Sequence, residues 1–107
     1  MNITDIRIRK TYDDARLKAL VSVTVDNDLA VHDIKVIEGP ERLFVAMPSR
    51  KDENGTFRDV AHPITSQGRK EMETAILDKY REFLIRRAQE AADASSLSVA
   101  PPPSSQS

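Results

Sequence analysis

The stretch Leu43-Phe44-Val45-Ala46-Met47-Pro48-Ser49-Arg50-Lys51, followed after a short turn by Phe57-Arg58-Asp59-Val60-Ala61-His62-Pro63-Ile64, sets the architecture of this chain. Physically it reads as an apolar strand, a basic projecting hairpin and a return strand. The turn signal is Asn54-Gly55, the pair that best tolerates the positive φ needed at both central positions of a type I′ turn. A turn on those two residues pairs Glu53 with Thr56, Asp52 with Phe57, Lys51 with Arg58 and Arg50 with Asp59. Lys51 then stands opposite Arg58, and like charges opposed on a sheet destabilise it. Two readings of that pair stay open. One is a solvated, mobile ribbon whose charges avoid each other. The other is a phosphate contact site, because Arg and Lys are the usual phosphate binders.

Working outward, the run Leu43–Met47 is almost wholly apolar, which suggests a strand covered on both faces. A helix supplies one cover and a second subunit the other. Upstream, Leu17, Ala19, Val21, Val23 and Val25 fall on one face of a strand, with Lys18, Ser22, Thr24 and Asp26 on the other. This is the central strand of the core. Asn27-Asp28 marks the next reversal. A two-residue turn there sets Val25 against Ala30, Val23 against His32, Val21 against Ile34 and Ala19 against Val36, so both apolar faces coincide. His32 then lies on the inner face, where a lone histidine is ordinarily a hydrogen-bonded core or interface residue. Residues 2–10 alternate Ile6 and Ile8 with Arg7 and Arg9. The charged face suits either an edge strand that deters aggregation or a phosphate contact.

Downstream of Pro63, Thr65 or Ser66 can cap a helix running from about residue 67 to about residue 91. Its apolar stripe is Met72, Ala75, Ile76, Tyr80, Phe83 and Leu84. Arg69 and Lys70 sit in the first turn, where a cation opposes the helix dipole. That placement favours phosphate binding, since the same turn offers free N–H groups. Arg86 and Arg87 near the far end are explained by the dipole alone. From about Asp93 the chain is rich in Ser, Ala and Pro and cannot bury enough surface to order itself. The expected organisation is one domain over residues 1–92 and a disordered tail over 93–107. The fold class is α+β: an antiparallel sheet of about five strands with a long C-terminal helix packed on it.

Composition narrows the function. The 107 residues carry 16 basic and 17 acidic side chains, a net charge of −1, so a nucleic-acid site must come from a local basic cluster. There is no cysteine, which removes disulfides, thiolate metal sites and cysteine nucleophiles. No stretch approaches the length of a membrane span, and no signal peptide is visible, so the expectation is a soluble cytoplasmic protein. No Gly-rich phosphate loop, HExxH or GxSxG occurs. The acid–base candidates His32, His62, Asp33 and Asp59 form no pair on their own. The reading is therefore of a protein that is not an enzyme, with no cofactor, no metal and no small-molecule substrate.

Four segments carry a resemblance: Thr4–Arg9, Val31–Ile37, Leu43–Lys51 and Phe57–Ile64. In this order and spacing they resemble the SpoVG family, stage V sporulation protein G, over about residues 1–84. The resemblance implies a small bacterial cytoplasmic protein that forms homodimers and binds DNA, RNA or both. It implies a regulator touching sporulation, septation, the cell envelope or virulence. It puts the family's basic hairpin on Arg50 and Lys51, and the following Phe-Arg-Asp on Phe57, Arg58 and Asp59. The family's helix, also implicated in nucleic-acid contact, begins here with Arg69 and Lys70. The expected nucleic-acid surface is thus Arg50, Lys51, Arg58, Arg69 and Lys70, doubled by the dimer axis. The competing expectation is a protein-interaction module of the division or envelope machinery that binds no nucleic acid directly.

Overall fold

The central strand forms where the valine alternation places it. In the computed structural model, which describes residues 1–99, β2 spans Leu17–Val25 and is flanked by β1 (Ile3–Thr11) and β3 (Leu29–Glu38). The short β4 (Leu43–Ala46) completes an antiparallel sheet in the order β1-β2-β3-β4. β5 (Ser49–Lys51) and β6 (Phe57–Asp59) form a separate two-stranded ribbon rather than a fifth strand of that sheet. A single helix, α1 (Ser66–Val99), packs on one sheet face against β1 and β4.

The core lies between the sheet and α1. Ala19, Val21 and Val23 of β2, Ile34 and Val36 of β3, Val45 and Met47 meet Met72, Ile76, Leu77 and Tyr80 of α1. Fully burying Val21, Val23, Val36 and Ile34 stabilises the fold by about 1.5–3 kcal/mol each before chain entropy is subtracted. The helical stripe follows the expected spacing at Met72, Ile76 and Tyr80. Leu77 joins the core, Ala75 and Phe83 are half-buried, and Leu84 is 37% exposed. Thr65 caps the helix, its Oγ1 accepting the Gly68 N–H at 2.9 Å. α1 continues past the expected end near residue 91, because residues 88–99 are Ala-rich and hold neither Gly nor Pro to stop it. The boundary at residues 92 and 93 therefore falls inside α1. The rest of the expected tail, residues 100–107, lies outside the described residues. No helix among the described residues is long and apolar enough to cross a membrane.

The register between β2 and β3 corrects one expectation. Ala19 pairs with Val36 and Val21 with Ile34, as the alternation requires. Beyond them the pairing shifts by one, so Val23 meets Val31 and Val25 meets Leu29. Two residues of β3, His32 and Asp33, oppose the single Ser22. This is a β-bulge, with Asp33 in the left-handed region at φ 62°. Val31 takes the inner position, and His32 turns to the open face, where Nδ1 shares a 2.8 Å hydrogen bond with Ser22 Oγ. The reversal also differs from the expected Asn27-Asp28 turn. Asp26 and Asn27 hold positive φ, and the Asp28 N–H closes the turn on the Val25 carbonyl.

Candidate nucleic-acid interface

The ribbon is built by its turn. Gly55 is the residue at positive φ, and its N–H donates to the Asp52 carbonyl at 3.0 Å, while the Asp52 N–H donates to the Thr56 carbonyl. This is a three-residue loop, Glu53-Asn54-Gly55, with glycine in the left-handed position, and not the two-residue turn expected from Asn-Gly. The extra loop residue moves every pair by one. Arg50 faces Arg58, Lys51 faces Phe57 and Ser49 faces Asp59. The expected Lys51–Arg58 opposition does not form.

Asp52 resolves the new like-charge pair. Its carboxylate accepts the Asn54 N–H at 2.9 Å and the Thr56 N–H at 3.0 Å through one oxygen, and Arg58 Nε at 2.7 Å through the other. The Arg58 guanidinium, helped by the two backbone donors, holds the Asp52 carboxyl below the usual carboxylate range. Asp52 was absent from the sequence-derived site. Its signal was present, because Asp at the first position of a turn commonly bonds its own backbone two residues on. On the other ribbon face, Lys51 Nζ lies 5.8 Å from the centre of the Phe57 ring.

The five expected site residues therefore divide. Arg50 and Lys51 are exposed and make no ion pair among the described residues. Arg58 stands beside them with its charge matched by Asp52. Arg69 and Lys70 are exposed at the start of α1, joined to the ribbon only through residues 60–65, and no hydrogen bond or ion pair links the two groups. Arg50 also lines a groove beside the ribbon, whose walls include Leu29, Val31, Pro48 and Val60. The groove exists because β4 pairs only with Lys35–Glu38 and leaves the earlier half of β3 without a neighbour on that side. His62 is on the surface, its Nδ1 donating to the Pro63 carbonyl at 3.0 Å. Among the described residues no three His, Asp or Glu side chains stand close enough to hold a metal ion.

These features define a class of protein: a small α+β domain with one helix on a four-stranded antiparallel sheet and a basic two-stranded ribbon beside it. The SpoVG family model matches residues 1–82, and the chain belongs to that family. Several curated relatives carry the name "Putative septation protein SpoVG". That of Acetivibrio thermocellus is 60% identical over 83 residues, covering 78% of this chain and 88% of its own. That of Caldanaerobacter subterraneus subsp. tengcongensis is 57% identical over 82 residues, covering 77% and 90%. That of a Thermoanaerobacter species is 53% identical over 92 residues, covering 86% and 97%.

Proposed function

We propose that the chain is a homodimeric nucleic-acid-binding regulator, cytoplasmic, acting in the septation or sporulation processes that give its relatives their name. The observation that carries this reading is the ribbon itself. It stands apart from the main sheet and presents Arg50 and Lys51, exposed and without acidic partners among the described residues, on a two-stranded support. Phosphate contacts by such side chains fix a protein on nucleic acid without reading sequence. Arg69 and Lys70 extend the surface at the start of α1, where the helix end favours an anion. Arg58 contributes less than its neighbours while Asp52 holds it.

The unpaired half of β3 supports the dimer. Leu29 and Val60 are 60% and 66% exposed and face the same groove. An open strand edge with apolar walls is a liability for a lone subunit and a natural seat for a second. The same groove also favours a second reading, in which a partner protein adds a strand there and nucleic acid plays no part.

The test of the site is the Arg50→Ala/Lys51→Ala double variant. It is expected to lose about tenfold in affinity for nucleic acid and to flatten the slope of log K against log salt by about 2, the loss of two phosphate contacts. Unchanged affinity and slope would remove the ribbon from the interface. A protein partner that survives nuclease treatment, together with unchanged nucleic-acid binding in the variant, would favour the second reading.

A further inference from the structure

Three further cations meet at the free edge of β1, across β2 from the ribbon's groove. Arg7 of β1 and Lys79 and Arg86 of α1 surround a shallow cleft with Ile8 and Phe83 as its apolar floor. The chain brings them together from more than seventy residues apart. Two contacts hold α1 in that rotation. Arg87, the next residue, bonds Asp13 at 3.0 Å and Thr11 Oγ1 at 3.3 Å, which ties the helix to the end of β1. Arg86, itself exposed, stands on the β1 side of the helix beside that contact.

A second cleft lies on the open sheet face. Arg9 lines it, with Leu20, Ser22, His32 and Asp33. Arg9 is the extra residue of a bulge between Ile8 and Lys10. Bulges re-aim side chains at strand edges. Arg7 and Ile8 line the first cleft and Arg9 the second, so consecutive residues of β1 stand at both. The two are taken together as a seam from α1 over the β1 edge to the open face beside β3. Arg9, Lys79 and Arg86 make no ion pair among the described residues, while Arg7 donates one bond to Asp5 and keeps its remaining donors. The acidic groups along the seam are Asp5, Glu82 and Asp33.

Cations on an edge strand also guard against edge-to-edge pairing. That accounts for Arg7 and Arg9. It does not account for Lys79 and Arg86, which stand on a helix and converge on the same cleft.

We infer that this seam is a second nucleic-acid contact surface, and that it takes a single-stranded segment. The inference rests on the nucleic-acid reading above and adds a site to it. Guanidinium and ammonium groups over an apolar floor suit a phosphodiester backbone with its bases turned towards the protein. The seam bends from the helix side of the sheet to its open face within one strand. A duplex, with a persistence length of about 150 base pairs, does not follow such a bend, whereas a single strand does. Beyond the second cleft the open face offers Ile37 and Phe44, both half-buried and paired across β3 and β4, as an apolar surface for bases.

The test compares fluorescein-labelled oligo-dT of about 30 nucleotides with a mixed-sequence duplex of about the same length, by anisotropy. The Arg7→Gln/Lys79→Gln/Arg86→Gln variant is expected to bind oligo-dT about tenfold more weakly, with a salt slope shallower by about 2, while its duplex affinity changes less than about twofold. Glu82→Gln, an exposed and conservative change, is expected to tighten oligo-dT binding about two- to threefold. If the triple variant fails to fold, the Glu82 variant alone decides. Wild-type oligo-dT affinity in either variant, or equal losses on duplex and single strand, would overturn the assignment. The Arg50→Ala/Lys51→Ala protein in the same assay separates the two sites. A loss confined to that protein removes the seam and keeps the ribbon, and a loss confined to the seam variant does the reverse. Wild-type protein that binds neither probe overturns both.

Discussion

At Asp52, three donors converge on one carboxylate: two backbone N–H groups of the turn and the Arg58 guanidinium. The first two set the loop, and the third removes the repulsion that the Arg50–Arg58 pairing would otherwise carry. The Asp52 carboxyl is held below its ordinary value in the fold, chiefly by Arg58. Such a group stabilises the folded form at every pH above the ordinary carboxylate range, and that contribution is lost as the pH falls through the lowered value. The expected outcome of an NMR titration is an Asp52 carboxyl midpoint below the ordinary carboxylate range, with the Arg58 Nε–H signal fading as Asp52 protonates. A midpoint within that range would show that the latch does not hold in solution. The sequence pointed at Lys51 against Arg58 and passed over Asp52, because Asn54-Gly55 fits two loops. Glycine at the second position of a two-residue turn and glycine closing a three-residue loop look alike in one dimension. The aspartate preceding the loop was the available discriminator.

The strands were legible where their alternation is unbroken, as in β2, and misleading where it is interrupted. In β3 the pattern puts His32 inside only if every residue advances the strand by one step. The bulge at His32 and Asp33 consumes an extra residue, so Val31 faces the core and His32 the open face. Aspartate is among the few non-glycine residues that visit the left-handed region readily. That preference is too weak to have located the bulge in advance. It does give a test. Asp33→Val puts a branched side chain at φ 62° and is expected to cost about 1–2 kcal/mol in urea denaturation. Asp33→Gly is expected to be neutral or slightly stabilising. Equal stabilities for the two variants would show that the strand runs regularly in solution. On α1, the cap at Thr65 and most of the apolar stripe were readable from spacing. Leu77 was missed because it lies at the margin of that stripe.

At the scale of the whole molecule, sequence reading recovered the α+β class, the packing of one helix on an antiparallel sheet and the family. It did not recover which cations the fold gathers. Arg7, Lys79 and Arg86 lie far apart in the chain, and no local pattern joins them. Arg86 and Arg87 read alike in sequence, yet Arg87 is bound to Asp13 while Arg86 faces the β1 cleft. The shortness of β4 was equally hidden, and with it the exposed half of β3. Covering that edge with a second copy makes Leu29 and Val60 part of an interface. On the proposed dimer, the Leu29→Asp/Val60→Asp protein is therefore expected to run as a folded monomer by light scattering at micromolar concentration and the wild type as a dimer. A double variant that remains dimeric would place the interface elsewhere.

The central claim is that this near-neutral protein binds nucleic acid through locally gathered cations. Its most direct test is an anisotropy titration of the purified wild-type chain against duplex DNA, single-stranded DNA and RNA at two salt concentrations. The expected result is saturable binding to at least one of the three that weakens steeply as salt rises, because each phosphate contact releases counterions. A folded dimer that binds none of them at the lower salt would contradict the claim, and would leave the groove beside β3 as the place to look for a protein partner.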